Sequence, residues 1–147
     1  MNDFPAEAEL WQKTLAGLRG PVVIYDFFGQ CNMVEIVAAS DVVCSISSTV
    51  LLDAAVMRRG AISIMLPPIK ERFRDQMGGV IEQYPLVPFG CCLEVVSAGE
   101  LIAKLAGFIG SKGEVQNPLR QAQEEQINID GQNAARVVNL IESISRV

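Results

Sequence analysis

The sequence predicts an α/β fold: a three-layer, Rossmann-like domain with a mainly parallel sheet of about four to five strands. Three observations predict it. Short apolar runs alternate along the chain with longer segments of helical period. Two of those runs, Asp41-Val42-Val43-Cys44-Ser45-Ile46 and Ala61-Ile62-Ser63-Ile64-Met65-Leu66, are apolar at both alternating sets of positions, as strands covered on two faces must be. The length of 147 residues, with 50% hydrophobic and 20% charged, suits one domain over 1–147 with a sizeable buried core.

The elements follow in order. Ala8, Trp11, Leu15 and Leu18 recur at helical spacing, predicting an amphipathic helix from about Glu7 to Leu18. Gly20-Pro21 ends it, and Val22 to Phe28 reads as a strand. A short helix through Val34, Val37 and Ala38 precedes the strand at Asp41–Ile46. Ser47-Ser48-Thr49 then starts a helix from Val50 to Arg59, with hydroxyls placed to cap its N–H groups and Gly60 as its C-cap. That helix is apolar on most sides apart from Asp53, so deep burial is expected.

Pro67-Pro68 closes the Ala61–Leu66 strand, and the charged stretch Ile69 to Tyr84 reads as irregular. A strand is expected around Cys91–Val95. Ser97-Ala98-Gly99-Glu100 fits a capping box before a helix carrying Leu101, Leu105 and Ile109. Asn117-Pro118 opens a polar helix to about Glu125. Asp130-Gly131 precedes a last helix striped with Ala134, Val137, Ile141 and Ile144, a core face or a docking face.

Composition excludes several functions. There is no histidine, which removes Ser-His-Asp and Cys-His catalysis and imidazole-bound zinc. Cys31, Cys44, Cys91 and Cys92 form no Cys-x-x-Cys pair, and they read as reduced, partly buried thiols. Neither a cofactor nor a metal site is expected. A net charge of −5 with no basic stripe argues against nucleic acid as a partner. The acidic start Met-Asn-Asp-Phe-Pro and the lack of a long uncharged apolar stretch predict a cytoplasmic chain, meeting a membrane only through a partner.

In open parallel sheets, ligands bind beyond the carboxyl ends of the strands. The sharpest candidate there is the turn at Ser47, Ser48 and Thr49, where hydroxyls and amide N–H groups meet the positive end of a helix dipole and favour a phosphate. Asp53, a turn further on, is placed to accept hydrogen bonds from a pair of sugar hydroxyls. Ser and Thr also cap helices with nothing bound, so spacing alone leaves both readings open. The cations Arg58, Arg59, Lys70, Arg72 and Arg74 form a second cluster. Lys70 and Arg72 are weaker phosphate candidates, set against a solvated loop with helix-end cations at Arg58 and Arg59. Trp11 and the phenylalanines read as core.

The stretch Ala39 to Ala55, then Arg59-Gly60-Ala61-Ile62, resembles the donor-site segment of GT-B-fold glycosyltransferases and UDP-N-acetylglucosamine 2-epimerases. The pattern is of the form D-v-v-v-S-x-S-[GS]-T-x-x-x-E-A. Pro85 to Leu101 and Asp130 to Val138 are similar to the later segments of that family, in the same order. The resemblance implies phosphate binding by Ser47, Ser48 and Thr49, ribose binding by Asp53, and a UDP-type nucleotide diphosphate sugar as ligand. It assigns no catalytic residue. Asp53 stands where Glu is usual, Ser48 where Gly is commoner, and Ala61 where Pro is usual. The opening strands and acceptor half of such enzymes are not recognisable, which implies a chain inactive alone: a fragment of a longer polypeptide, one chain of a split transferase completed by a partner chain or homo-oligomer, or a degenerate relative that only binds, with Val22–Phe28 pairing differently or finding its neighbours in a partner chain. The alternative expectation is a non-catalytic α/β interaction or assembly module.

Overall fold

The computed structural model describes Glu9, Lys13, residues 32–110 and residues 113–145. The backbone divides into two compact units, Met1–Asn32 and Met33–Val147, and the elements below belong to the second. Glu9 and Lys13 are helical and exposed. The rest of the predicted first helix, the Val22–Phe28 strand, Trp11 and Cys31 lie outside the described residues.

From Met33 on, the described residues form six helices and three strands in the order α1 (Met33–Ala39), β1 (Val42–Ser45), α2 (Val50–Val56), β2 (Gly60–Ile64), α3 (Pro67–Gln76), β3 (Leu93–Val95), α4 (Ala98–Gly110), α5 (Gln116–Gln126) and α6 (Asn133–Ser145). The strands form one parallel sheet in the order β1-β2-β3, with Val43 opposite Ala61 and Ile62 opposite Leu93. The fold class is α/β, as the alternation predicts. The sheet is smaller among the described residues than the four to five strands expected.

Alternation along β2 sorts the layers. Ala61 and its partner Val43 pack with Val37 of α1 and with Leu51 and Ala54 of α2, a cluster joined by Cys92. Gly60 points to the opposite face, where a Cβ would meet the Phe108 ring of α4 at 2.7 Å. Helices therefore cover both faces. Phe73 anchors α3, and Leu119 and Gln123 anchor α5; all three are buried.

Several elements differ from expectation. β1 is not buried on both faces: Cys44 is exposed and its neighbours are half-buried. α2 stops at Val56 and buries one side only, with Leu52 and Asp53 exposed. Gly60 is not its C-cap but the first residue of β2. The left-handed residue is Arg58, at φ 58°. Its guanidinium explains the conformation, donating to the carbonyls of Ala55 (3.3 Å), Gln123 (2.7 Å) and Ile127 (3.2 Å), so three carbonyls at two helix ends offset the backbone cost.

Pro67-Pro68 does not merely close a strand. Leu66 is extended at ψ 148°, Pro67 takes the first helical position, and α3 runs through residues read as irregular. The capping box is present: Ser97 Oγ accepts the Glu100 N–H at 3.2 Å, and Glu100 Oε2 accepts the Val96 N–H at 2.8 Å. Of the phenylalanines, Phe89 is exposed rather than core. No helix among the described residues is long and apolar enough to cross a membrane.

Candidate functional site

Parallel pairing places the carboxyl ends of all three strands on one edge, and each strand there leads toward a helix: β1 to α2, β2 to α3, β3 to α4. A helix N-terminus attracts anions only where its N–H groups remain to be donated. α3 begins with two prolines, which have no N–H. α4 has the Glu100 carboxylate folded back over its first turn. Neither suits an anion.

The turn from β1 into α2 is different. Buried Ser63 on β2 donates its hydroxyl to the Ile46 carbonyl at 2.8 Å, and the Tyr84 hydroxyl donates to the Ser48 carbonyl at 2.9 Å. In a trans peptide the N–H points opposite to the C=O. Fixing those two carbonyls therefore directs the N–H groups of Ser47 and Thr49 away from Ser63 and Tyr84. Among the described residues neither amide has a hydrogen-bond partner. The hydroxyls expected to cap α2 contribute little: Thr49 makes no side-chain cap, and Ser48 Oγ accepts the Val50 N–H at a long 3.4 Å. Deeper in the turn, Leu51 donates to the Ser48 carbonyl, and Leu52 and Asp53 donate to that of Thr49. The donors left for a ligand are thus on the turn rather than within the helix.

Ser47, Thr49 and Asp53 are exposed and Ser48 is half-buried. Burial first, and then neighbouring Cys92 and Asp53, raise the Tyr84 hydroxyl above its ordinary range.

Along the same edge, a groove of about 300 Å³ is lined by Met65, Pro67, Lys70, Glu71, Arg74, Glu82 and Val96. Lys70 bonds Glu94 at 2.7 Å, so its charge is already partnered. Arg72 is exposed and does not line the groove, whereas Arg74, which sequence reasoning left in the general cluster, does. The structure therefore separates Lys70 from Arg72, and neither is among the groups gathered at the 47–49 turn.

Arg58 and Arg59 belong to a different assembly. Arg58 caps helix ends as described, Arg120 Nε donates to the Arg58 carbonyl at 3.1 Å, and Gln123 Nε2 bridges the carbonyls of Arg59 (3.0 Å) and Cys91 (3.1 Å). Sequence reasoning missed Tyr84, Ser63 and Gln123, all polar residues inside apolar surroundings. A polar residue in an apolar run, as Ser63 is, was the one available signal.

Cys44, Cys91 and Cys92 are free thiols; burial pushes Cys92 up to about 12. Among the described residues no group of three or more His, Cys, Asp and Glu gathers to hold a metal ion. In comparisons with family models, curated proteins and solved structures, nothing matches this chain.

Proposed function

We propose that this α/β domain binds the diphosphate of a nucleotide, of the UDP-sugar type, at the turn Ser47-Ser48-Thr49. What supports the reading is elimination along the carboxyl edge. Of the three helix starts there, the one after β2 opens on two prolines and the one after β3 carries the Glu100 carboxylate, whereas the one after β1 presents the undonated amides of Ser47 and Thr49 beside neutral hydroxyls and behind two pinned carbonyls. Asp53, exposed in the first turn of α2, is the carboxylate that would take the ribose hydroxyls in this reading. The likeness of residues 39–62 to the donor segment of GT-B glycosyltransferases and sugar-nucleotide epimerases agrees with this placement.

The chemistry such a seat supplies is electrostatic. Amides and hydroxyls hold a diphosphate, and in a transferase they stabilise it as a leaving group. No residue is assigned a catalytic role. Acceptor binding and turnover require a surface contributed from elsewhere.

The test is a thermal-stability titration with UDP, UDP-N-acetylglucosamine, CDP and inorganic pyrophosphate. A ligand at 100 Kd adds about 2.7 kcal/mol to stability. No shift with any of the four overturns the proposal. A pyrophosphate shift without a nucleotide preference reduces it to a diphosphate site.

A second reading, a non-catalytic interaction or assembly module, is favoured by one observation: residues 133–144, nearly all of α6, are exposed. It predicts self-association or a heteromer with no nucleotide effect.

A further inference from the structure

The groove of about 300 Å³ on the carboxyl edge differs in chemistry from the 47–49 turn. Met65, one residue past β2, is fully buried, and Val96, one residue past β3, is 39% exposed. With Pro67 they form the apolar part of the lining. The backbone here has no amide to give. The Met65 N–H goes to the Val95 carbonyl at 2.8 Å, the Lys70 N–H to the Leu66 carbonyl at 2.9 Å, and the Val96 N–H to Glu100 Oε2. Pro67 has none. Polar recognition in the groove therefore falls to side chains.

Those side chains divide into one committed pair and three groups with charge to spare. Lys70 is held by Glu94 at 2.7 Å, and Glu94 Oε2 is buried with no hydrogen-bond partner. Drawing Lys70 toward a ligand would strip a largely buried carboxylate of its cation, which is costly. Arg74 is left as the cation of the groove. Its ion pair among the described residues is a long one, 3.9 Å to its chain neighbour Asp75. Glu71 and Glu82 are exposed and make no ion pair or side-chain hydrogen bond among the described residues. Glu71 and Arg74 stand three residues apart on α3, neighbouring positions with Cβ atoms roughly 5–6 Å apart, yet they do not close on each other. No metal-holding group gathers among the described residues, so the two glutamates are not a metal cage. Two carboxylates against one guanidinium also disfavour a phosphate dianion.

We propose that this groove binds a free α-amino acid with an apolar side chain: its carboxylate on the Arg74 guanidinium, its ammonium on Glu71 and Glu82, and its side chain against Met65 and Val96. Such a ligand carries opposite charges within a few ångströms of each other, the separation that neighbouring helix positions serve. The guanidinium presents a planar fork of donors that matches a carboxylate, and a glutamate accepts from an ammonium. A groove of about 300 Å³ is at the small end of ligand sites, a size for an amino acid with no further group attached. The proposal uses none of Ser47, Ser48, Thr49 and Asp53, so it is independent of diphosphate binding.

Amide chemical-shift titration of the full, nitrogen-labelled chain with L-leucine tests it. Three analogues each remove one feature: 4-methylpentanoate lacks the ammonium, isoamylamine lacks the carboxylate, and glycine lacks the side chain. The expected result is a saturable shift centred on Lys70 to Arg74 and Val96, with each analogue weaker by at least about tenfold in Kd, the scale of one charge-assisted contact. Arg74→Gln and Glu82→Gln should each weaken leucine by a similar factor, with melts unchanged because both positions are exposed. No saturable shift with leucine overturns the proposal, as does one confined to residues outside the groove. An analogue that matches leucine, or a variant that binds leucine as wild type does, also overturns it.

Discussion

The Tyr84 hydroxyl donates to the Ser48 carbonyl at 2.9 Å, so a residue of the long β2–β3 connection holds the turn at which α2 begins. Tyr84 also packs against the core cluster beneath α2, which fixes its ring. Tyr84→Phe keeps that packing and removes the bond. Urea unfolding should show a loss of about 1 kcal/mol, and the diphosphate-induced thermal shift should shrink with it.

The same hydroxyl makes a pH prediction. Burial, the largest cause, raises its folded-state value above the ordinary 10. For a raised group the stabilisation is complete below the unfolded value and is lost as pH rises through the folded one. Tyrosinate absorbance in wild type minus that in Tyr84→Phe should show a transition above pH 10, with stability falling across the same interval.

Ligand variants separate phosphate from ribose. Ser47→Asp puts a carboxylate against the exposed turn and should abolish the response to both UDP and pyrophosphate, with stability changed by no more than about 0.5 kcal/mol. Asp53→Ala should weaken UDP and leave pyrophosphate unaffected. Calorimetric titration of the two variants reads both outcomes.

Arg58 sets a backbone cost against three carbonyl bonds. Arg58→Ala loses the bonds and retains the left-handed backbone, whereas Arg58→Gly loses the bonds and relieves it. Both should be less stable than wild type, and the glycine variant should exceed the alanine variant by about 1 kcal/mol in chemical denaturation.

How much of this was legible in the sequence depends on what each element rests on. β2 and the buried side of α2 follow from apolar runs that are both local and long enough to be unambiguous. α3 was hidden because Pro67-Pro68 marks an end and a beginning at once, and because Phe73 is its one buried side chain. The extent of α2 failed for a long-range reason: Arg58 takes the glycine conformation because Gln123 and Ile127, far away in the chain, offer it carbonyls. At the site, the hydroxyl-rich turn was visible from residue types alone. Its fixation by Ser63 and Tyr84 was not, since nothing local links Ser48 to a residue 36 positions on.

The ion pair at the start of α6 gives an acid-side prediction. The Arg136 hydrogen bond, with the Gln132 N–H next, lowers Asp130 to about 2. For a lowered carboxylate the stabilisation is present above the unfolded value, near 3.9, and disappears as pH falls toward 2. Carboxyl carbon shifts should place the Asp130 midpoint near pH 2, and Asp130→Asn should loosen the first turn of α6 at neutral pH, seen as faster amide exchange.

Gln123 commits both hydrogens of one amide to carbonyls on separate segments, Arg59 just before β2 and Cys91 just before β3. Only one rotation and one axial setting of α5 satisfy the two together. Inserting a single residue between Leu119 and Gln123 turns the amide by about 100° and carries it off both acceptors. The helix therefore behaves as a keyed part: sequence drift on its outer side is cheap, while a change in its length is not.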